Sequence, residues 1–308
     1  MYGIEADALY KNYNGANALD GVSVTVPHGQ LFGLIGPDGA GKTSLIRIFT
    51  TLLLPDAGKA RVEGFDTQRD YAQIRSVIGY MPGKFSLYED LSVEENLHFF
   101  ARLFGTRIED NFAMIRDIYL QIEPFRKRRA GKLSGGMKQK LALCCALIHR
   151  PKVLLLDEPT TGVDPVSRKE FWDILGRLKS QGITILVATP YMDEAARCDQ
   201  IALMHKGRIL ESAPPAAIIA AWKRPLIAIR SGAPHSLLHA LRRQPWTHSV
   251  YSFGYALHLT LTHLMKPSEI TDILYAEGFN DLEVEKIEPS IEDCFMELIR
   301  TPEFPAPE

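Results

Sequence analysis

Residues 36–44 read GPDGAGKTS, with glycines at 36, 39 and 41 ahead of a Lys42–Thr43 pair, the spacing G-x-x-x-x-G-K-T. Glycines so placed let backbone N–H groups turn inward around phosphate oxygens, and a helix starting behind them adds the positive end of its dipole. Lys42 then reaches the β- and γ-phosphates, and the Thr43 hydroxyl serves a Mg2+ ion. The candidate phosphate cradle is the whole loop: Gly36, Pro37, Asp38, Gly39, Ala40, Gly41, Lys42, Thr43 and Ser44. A second stretch, VLLLDE at 153–158, ends an apolar run on two carboxylates. Asp157 suits the Mg2+ shell and Glu158 the polarising of an attacking water. A third, LSGGMKQK at 133–140, puts Ser134, Gly135 and Gly136 at the mouth of a helix, another anion-binding N-terminus.

Such groups need rigid elements to aim them. LFGLIG (31–36) reads as a buried strand and KTSLIRIFTTLL (42–53) as a helix, which makes the glycine loop the joint of a strand–loop–helix unit. PKVLLLDEP (151–159) and GITILVATP (182–190) are continuous apolar strands around the helical PVSRKEFWDILGRLKS, the pattern of a parallel sheet covered on both faces. A β-rich start precedes them, and residues from about 86 to 150 carry helical periodicity, with SVEENLHFFARLF opening on Ser92 and two glutamates. QIALMHKGRIL predicts a hairpin. The composition shifts near Lys223, so the expected domains are 1–222 and 223–308, the latter in βαββαβ order with a closing helix, SIEDCFMELIR. The fold class is α/β with a small α+β appendage.

At 308 residues, 46% hydrophobic and 23% charged, the chain can bury a large core. A net charge of −2 supplies no general field towards nucleic acid or anionic lipid. No apolar run reaches the length that spans a bilayer and the start lacks a signal-peptide pattern, so a cytoplasmic chain is expected. Cys144, Cys145, Cys198 and Cys294 have no metal or redox spacing and read as reduced packing residues. His235, His239, His248, His258 and His263 crowd the appendage, but with no cysteine cluster and His258 and His263 at odd spacing no metal site is expected there. RKRRAGK (126–132) reads as a solvated helix end.

The order and spacing of GPDGAGKT, LSGGMKQK and LLLDEPTTGVDP resemble the ATP-binding subunits of ABC transporters over about residues 5–220. The resemblance implies a P-loop NTPase core of ABC type with a β-rich N-terminal subdomain and a helical subdomain, working as a head-to-tail dimer with ATP and Mg2+ between the chains. It puts Ser134, Gly135 and Gly136 on the γ-phosphate of the opposite site, Asp164 in the loop between the sites, and Tyr13 at the position that stacks on adenine, with a core or surface tyrosine as the alternative. Partners implied are integral-membrane permease subunits, met by Phe85, Leu87 and Tyr88, and a second ATP-binding subunit. Location on the cytoplasmic face of the membrane follows. PSIEDCFMEL (289–298) resembles the tail of exporter ATPases of the daunorubicin-resistance type, which handle drugs, lipids or polysaccharides.

Two positions depart from the family pattern. Gly83 stands in YMPG where a glutamine reaches the Mg2+ site, and Pro190 stands in ATPY where a histidine contacts the γ-phosphate. Proline offers neither a side-chain donor nor a backbone N–H. Secure ATP binding, slow hydrolysis of its own and a heterodimer with a more complete ATPase are the expectation. A non-hydrolysing regulatory module is the alternative; a soluble ABC ATPase acting on nucleic acid or ribosomes is a weaker one, since one motif set with no long insertion is present, and no nucleic-acid partner is expected.

Overall fold

The computed structural model describes residues 2–300. Contacts divide the chain into two compact units, one up to Pro215 and one from Ala216 onward. In chain order the first holds β1 (Tyr2–Tyr13), β2 (Ala16–Pro27), β3 (Leu31–Ile35), α1 (Lys42–Phe49), β4 (Ala57–Val62), β5 (Phe65–Asp66), α2 (Tyr71–Val77), β6 (Ile78–Met81), α3 (Val93–Leu103), α4 (Ile108–Tyr119), α5 (Gly135–Leu147), β7 (Val153–Asp157), α6 (Pro165–Ser180), β8 (Thr184–Thr189), β9 (Gln200–His205) and β10 (Arg208–Ala213).

The central sheet runs β10-β9-β3-β8-β7-β6, parallel except for the β9–β10 hairpin at its edge. Every residue of β3, β7 and β8 is buried, which is why these strands read as unbroken apolar runs: both faces are covered. The N-terminal sheet, β2-β1-β4-β5, is antiparallel, and β2 alternates buried Val22, Val24 and Val26 with exposed Ser23 and Thr25. Helix α1 joins the two sheets into one core: its Leu45, Ile46, Ile48 and Phe49 share a cluster with Ile4 and Leu9 of β1, Leu155 of β7 and Leu186 of β8. Between β6 and β7 the chain is helical. Ser92 caps α3 through a reciprocal pair, its Oγ accepting from the Glu95 amide at 3.2 Å and the Glu95 carboxylate accepting from the Ser92 amide at 2.8 Å.

The second unit holds the short helix α7 (Pro215–Ala220), β11 (Leu226–Ser231), α8 (Pro234–Arg242), β12 (Thr247–Phe253), β13 (Ala256–Leu261), α9 (Pro267–Ala276), β14 (Leu282–Lys286) and α10 (Ile291–Arg300). Its sheet is antiparallel in the order β12-β13-β11-β14. Ile227, Ile229, Leu257 and Leu259 point to one face and form a core with Leu237 and Leu241 of α8 and Ile270 and Leu274 of α9. In α10, Asp293 is buried; it accepts from the Ser290 hydroxyl at 2.6 Å and pairs with the His258 ring of β13 at 2.7 Å. His248 pairs with Glu297 at 2.8 Å, and His235 and His239 stack with ring centroids 5.6 Å apart. Among the described residues no group of three or more His, Cys, Asp or Glu could hold a metal. All four cysteines are free and buried, and burial pushes each thiol up.

Candidate functional site

Strand β3 delivers the chain to the glycine loop and α1 receives it at Lys42. Gly39 (φ 77°) and Gly41 (φ 105°) take the left-handed conformation, which side chains disfavour. The loop is also gripped from outside. A methyl group at Gly36 would overlap the Met204 carbonyl of β9, and one at Gly41 the Ala18 carbonyl of β2. The Gly207 amide donates to the Ala40 carbonyl at 2.9 Å, and the Gly36 amide to the Thr189 carbonyl at 3.3 Å. Within this mould Pro37 and Ser44 are half-buried, Ala40 is buried and Asp38 is exposed.

Lys42 is buried, and its Nζ donates to the carbonyls of Gly36 (2.7 Å) and Pro37 (2.9 Å) and lies 3.9 Å from Glu158 Oε1. Burial pushes its pKa down, against the pull of Glu158, Asp38 and Asp157. Next to Lys42, Thr43 Oγ1 donates to Oδ1 of Asp157, 114 residues away in sequence, at 3.0 Å. Asp157 closes β7, and burial raises its pKa; the Thr43 bond opposes this and the neighbouring Glu158 adds to it. A hydroxyl and a carboxylate side by side, both hard oxygen donors, fit the way Mg2+ takes one or two protein ligands and leaves its other positions to water and phosphate. Glu158 has left-handed backbone geometry (φ 51°), held by its amide bond to the Ala188 carbonyl at 2.8 Å and by the Thr161 hydroxyl, 3.3 Å from its Oε2.

Ser134, Gly135 and Gly136 sit elsewhere. Ser134 caps α5 by accepting from the Met137 amide at 3.4 Å, a Cβ on Gly135 would lie 3.3 Å from the Gly162 carbonyl, and one on Gly136 would lie 2.6 Å from Ser167 Oγ. Asp164 caps α6 by accepting from the Ser167 amide at 3.0 Å, a bond that lowers its pKa. The Ser134 turn and the Asp164 loop thus form one patch joined through Ser167, held by partners other than those of the glycine loop. Tyr13 is 43% exposed at the end of β1, opposite Ala16 and so two residues from the Ala18 carbonyl that abuts Gly41. Its exposure removes the core-tyrosine alternative.

A Cβ on Gly83 would lie 3.1 Å from the Asp157 backbone carbonyl and 3.8 Å from Glu158 Cβ, so this position borders the chain that carries both carboxylates, without a side chain of its own. Pro190 follows β8 directly, between Thr189 and Tyr191. Arg47 and Tyr80 are additions that sequence reasoning missed. Burial and the Asp157 charge push the Tyr80 phenol up, while the nearby Arg47 charge pulls both Tyr80 and Asp157 down. The signal was present for Arg47, four residues beyond Thr43 and so on the same helix face. One expectation needs correcting: Leu87 is 8% exposed and faces the protein, whereas Tyr88 is exposed with Phe99 packed edge-on at 4.8 Å, and Phe85 lies under Lys138 Nζ at 4.9 Å.

The ABC transporter family pattern matches residues 19–161. A probable multidrug ABC transporter ATP-binding protein of Escherichia coli (strain K12) is 39% identical over 305 residues, 96% of this chain and 52% of that protein, so the chain spans about half the length of this relative. The Nod factor export ATP-binding protein I of Rhizobium sp. (strain N33) is 34% identical over 299 residues, 96% of each chain. Among solved structures, cbiO1 of Clostridium perfringens, part of an ABC transporter complex, superposes with a TM-score of 0.64 at 28% identity, covering 71% of this chain and 91% of its own. The parallel sheet that joins Lys42 and Thr43 to Asp157 and Glu158 is therefore a shared cassette, and the chain belongs to the family of ABC transporter ATP-binding proteins.

Proposed function

We propose that the chain is the ATP-binding subunit of a membrane exporter, closing on ATP with a second ATP-binding subunit and driving a separate permease. The observation that carries this is the cluster in which Lys42 Nζ approaches Glu158 at 3.9 Å while Thr43 and Asp157 share a hydrogen bond of 3.0 Å. Tyr13 stacks on adenine. The amides of residues 36–44 and Lys42 hold the triphosphate, and Thr43 and Asp157 hold Mg2+. The ion, when bound, neutralises charge on the β- and γ-phosphate oxygens. Glu158 accepts a proton from the water aimed at the γ-phosphate. Ser134, Gly135 and Gly136 serve the opposite subunit's nucleotide, with Asp164 between the two sites, since their turn packs on Gly162 and Ser167 rather than on the glycine loop.

Gly83 and Pro190 leave Glu158 without two polar neighbours, and losing one such contact lowers a rate by about 10²–10³-fold. Turnover at this site is accordingly slow, and a heterodimer with a more complete ATPase is favoured over a homodimer. Both relatives named above carry export or multidrug transport in their names, which supports the exporter reading. Among the described residues no helix is long and apolar enough to cross a membrane. On the exporter reading the permease is a separate subunit, and the chain works at the cytoplasmic face. Tyr88 and Phe99 are the surface offered to it. The unit after residue 222 steadies or regulates the dimer.

Mg2+-dependent ATP turnover of the purified chain, with Glu158→Gln as control, tests this. Tight ATP binding with slow, Glu158-dependent turnover is expected, rising when a complete ATPase partner is added. Absence of ATP binding would overturn the reading. Rapid turnover of a homodimer would overturn the heterodimer.

A further inference from the structure

Beside the site lies a third carboxylate that no motif announces. Glu194, in the turn Met192–Arg197 after β8, is 3% exposed and fully engaged. Its Oε1 accepts from the Thr160 hydroxyl at 2.8 Å and from Arg168 NH2 and Nε at 3.1 and 3.3 Å; its Oε2 accepts from the Thr189 hydroxyl at 2.6 Å. Thr189 passes the link on, because its Oγ also accepts from the Tyr191 amide at 3.1 Å, fixing the peptide that follows Pro190. Thr160 and Thr189 are themselves buried, and Arg168 also pairs with Asp193 at 3.3 Å and covers the Tyr191 ring at 4.3 Å.

Two of the three segments tied together border the glycine loop and its lysine, through the Gly36 amide on the Thr189 carbonyl and through Glu158, 3.9 Å from Lys42; the third is the helix behind Asp164. Thr160 stands two residues after Glu158, whose φ of 51° a non-glycine residue keeps only under external restraint. Thr189 stands one before Pro190, and its carbonyl accepts from Gly36. Arg168 lies on α6, whose cap is Asp164. We propose that Glu194 is a positioning residue that locks the Glu158 segment, the Pro190 turn and the Asp164 helix into one arrangement. In this chain the side chains that would otherwise orient the water, at positions 83 and 190, are a hydrogen atom and a pyrrolidine ring. Orientation of Glu158 then falls on the scaffold behind it, and a displacement of about 1 Å at a reacting group costs up to about 10²-fold in rate. The proposal rests on the hydrolysis reading above.

The mildest cut is Thr189→Val, which keeps the shape and removes the relay to Tyr191, with Thr189→Ser as the conservative control and Glu194→Gln as the charge-neutral one. Turnover, ATP affinity, melting temperature and amide exchange are read for each. The expected result is a fall in kcat of about 10–100-fold for Thr189→Val with KM and ATP affinity within about threefold, restoration by Thr189→Ser, and faster exchange in residues 158–163 as well as 189–192. Exchange confined to the mutated segment, or a loss of kcat that follows ATP affinity or melting temperature, would overturn the positioning role. Should the unmodified chain show no Glu158-dependent turnover, the hydrolysis reading is the one that fails; the exchange pattern then decides alone whether Glu194 couples the segments.

Discussion

Asp157 of the first unit and Asp293 of the second are equally buried, each 4% exposed, yet their carboxyls are shifted in opposite directions. Around Asp157 burial dominates, and a single hydroxyl bond from Thr43 and the charges of Arg47 and Lys42 do not offset it, least of all with Glu158 alongside. Around Asp293 burial also pushes upward, but the His258 ring and the Ser290 hydroxyl and amide together outweigh it. The second carboxylate is satisfied by its own unit and fastens α10 to the sheet. The first has one side-chain hydrogen bond, from Thr43, and a buried charge short of partners is what a cation site requires.

The largest effect that tests this contrast is Asp157→Asn. It should lower Mg2+-dependent turnover by about 10²–10³-fold, while the melting temperature of nucleotide-free protein rises, because a strained charge has been replaced by an amide. A lower melting temperature would mean that Asp157 is structural after all. Next is Asp293→Asn, which should destabilise the second unit by about 1.5–3 kcal/mol, the range for hydrogen bonds to a charged group, measured by denaturant unfolding followed at Trp246. An unchanged midpoint would break the contrast from the other side.

Smaller, and of opposite sign at the two sites, is the response to pH. The raised pKa of Asp157 means that the folded chain binds its proton more tightly than the unfolded one, so its contribution to stability is lost as pH rises from the ordinary value of 3.8 through the raised one. Added Mg2+ should restore that loss at neutral pH and have less effect as pH falls, because protons compete with the ion. Asp293 behaves inversely: its stabilisation is present above 3.8 and disappears as pH falls through its lowered value. Melting curves against pH, with and without Mg2+, for Asp157→Asn and Asp293→Asn separate the two.

Much of this was legible because it is local. The strand–loop–helix around Lys42, the apolar runs of β7 and β8, the Ser92 cap and the βαββαβ order each follow from neighbours within a dozen residues. The Glu194 junction was not. Thr160, Arg168, Thr189 and Glu194 are ordinary residue types spread over 35 positions, and a carboxylate in MDEAAR reads as solvent-facing until the fold brings two hydroxyls and a guanidinium onto it. Asp293 was hidden likewise, its partner His258 being 35 residues away in another element. Leu87 shows the complementary error, in which type and neighbours suggested a surface and packing decided otherwise.

The four buried thiols have a practical corollary. A thiol must ionise to react, and burial holds Cys294 up at about 11 and the other three well above the ordinary value. The folded protein is therefore close to silent towards maleimides and mild oxidants at neutral pH. A single reporter cysteine placed at Ser134, and another at the exposed Asp38 in a second preparation, is open to labelling or cross-linking without first removing the native ones. The proposed approach of one subunit's helix turn to the other's glycine loop thus becomes open to direct chemical measurement.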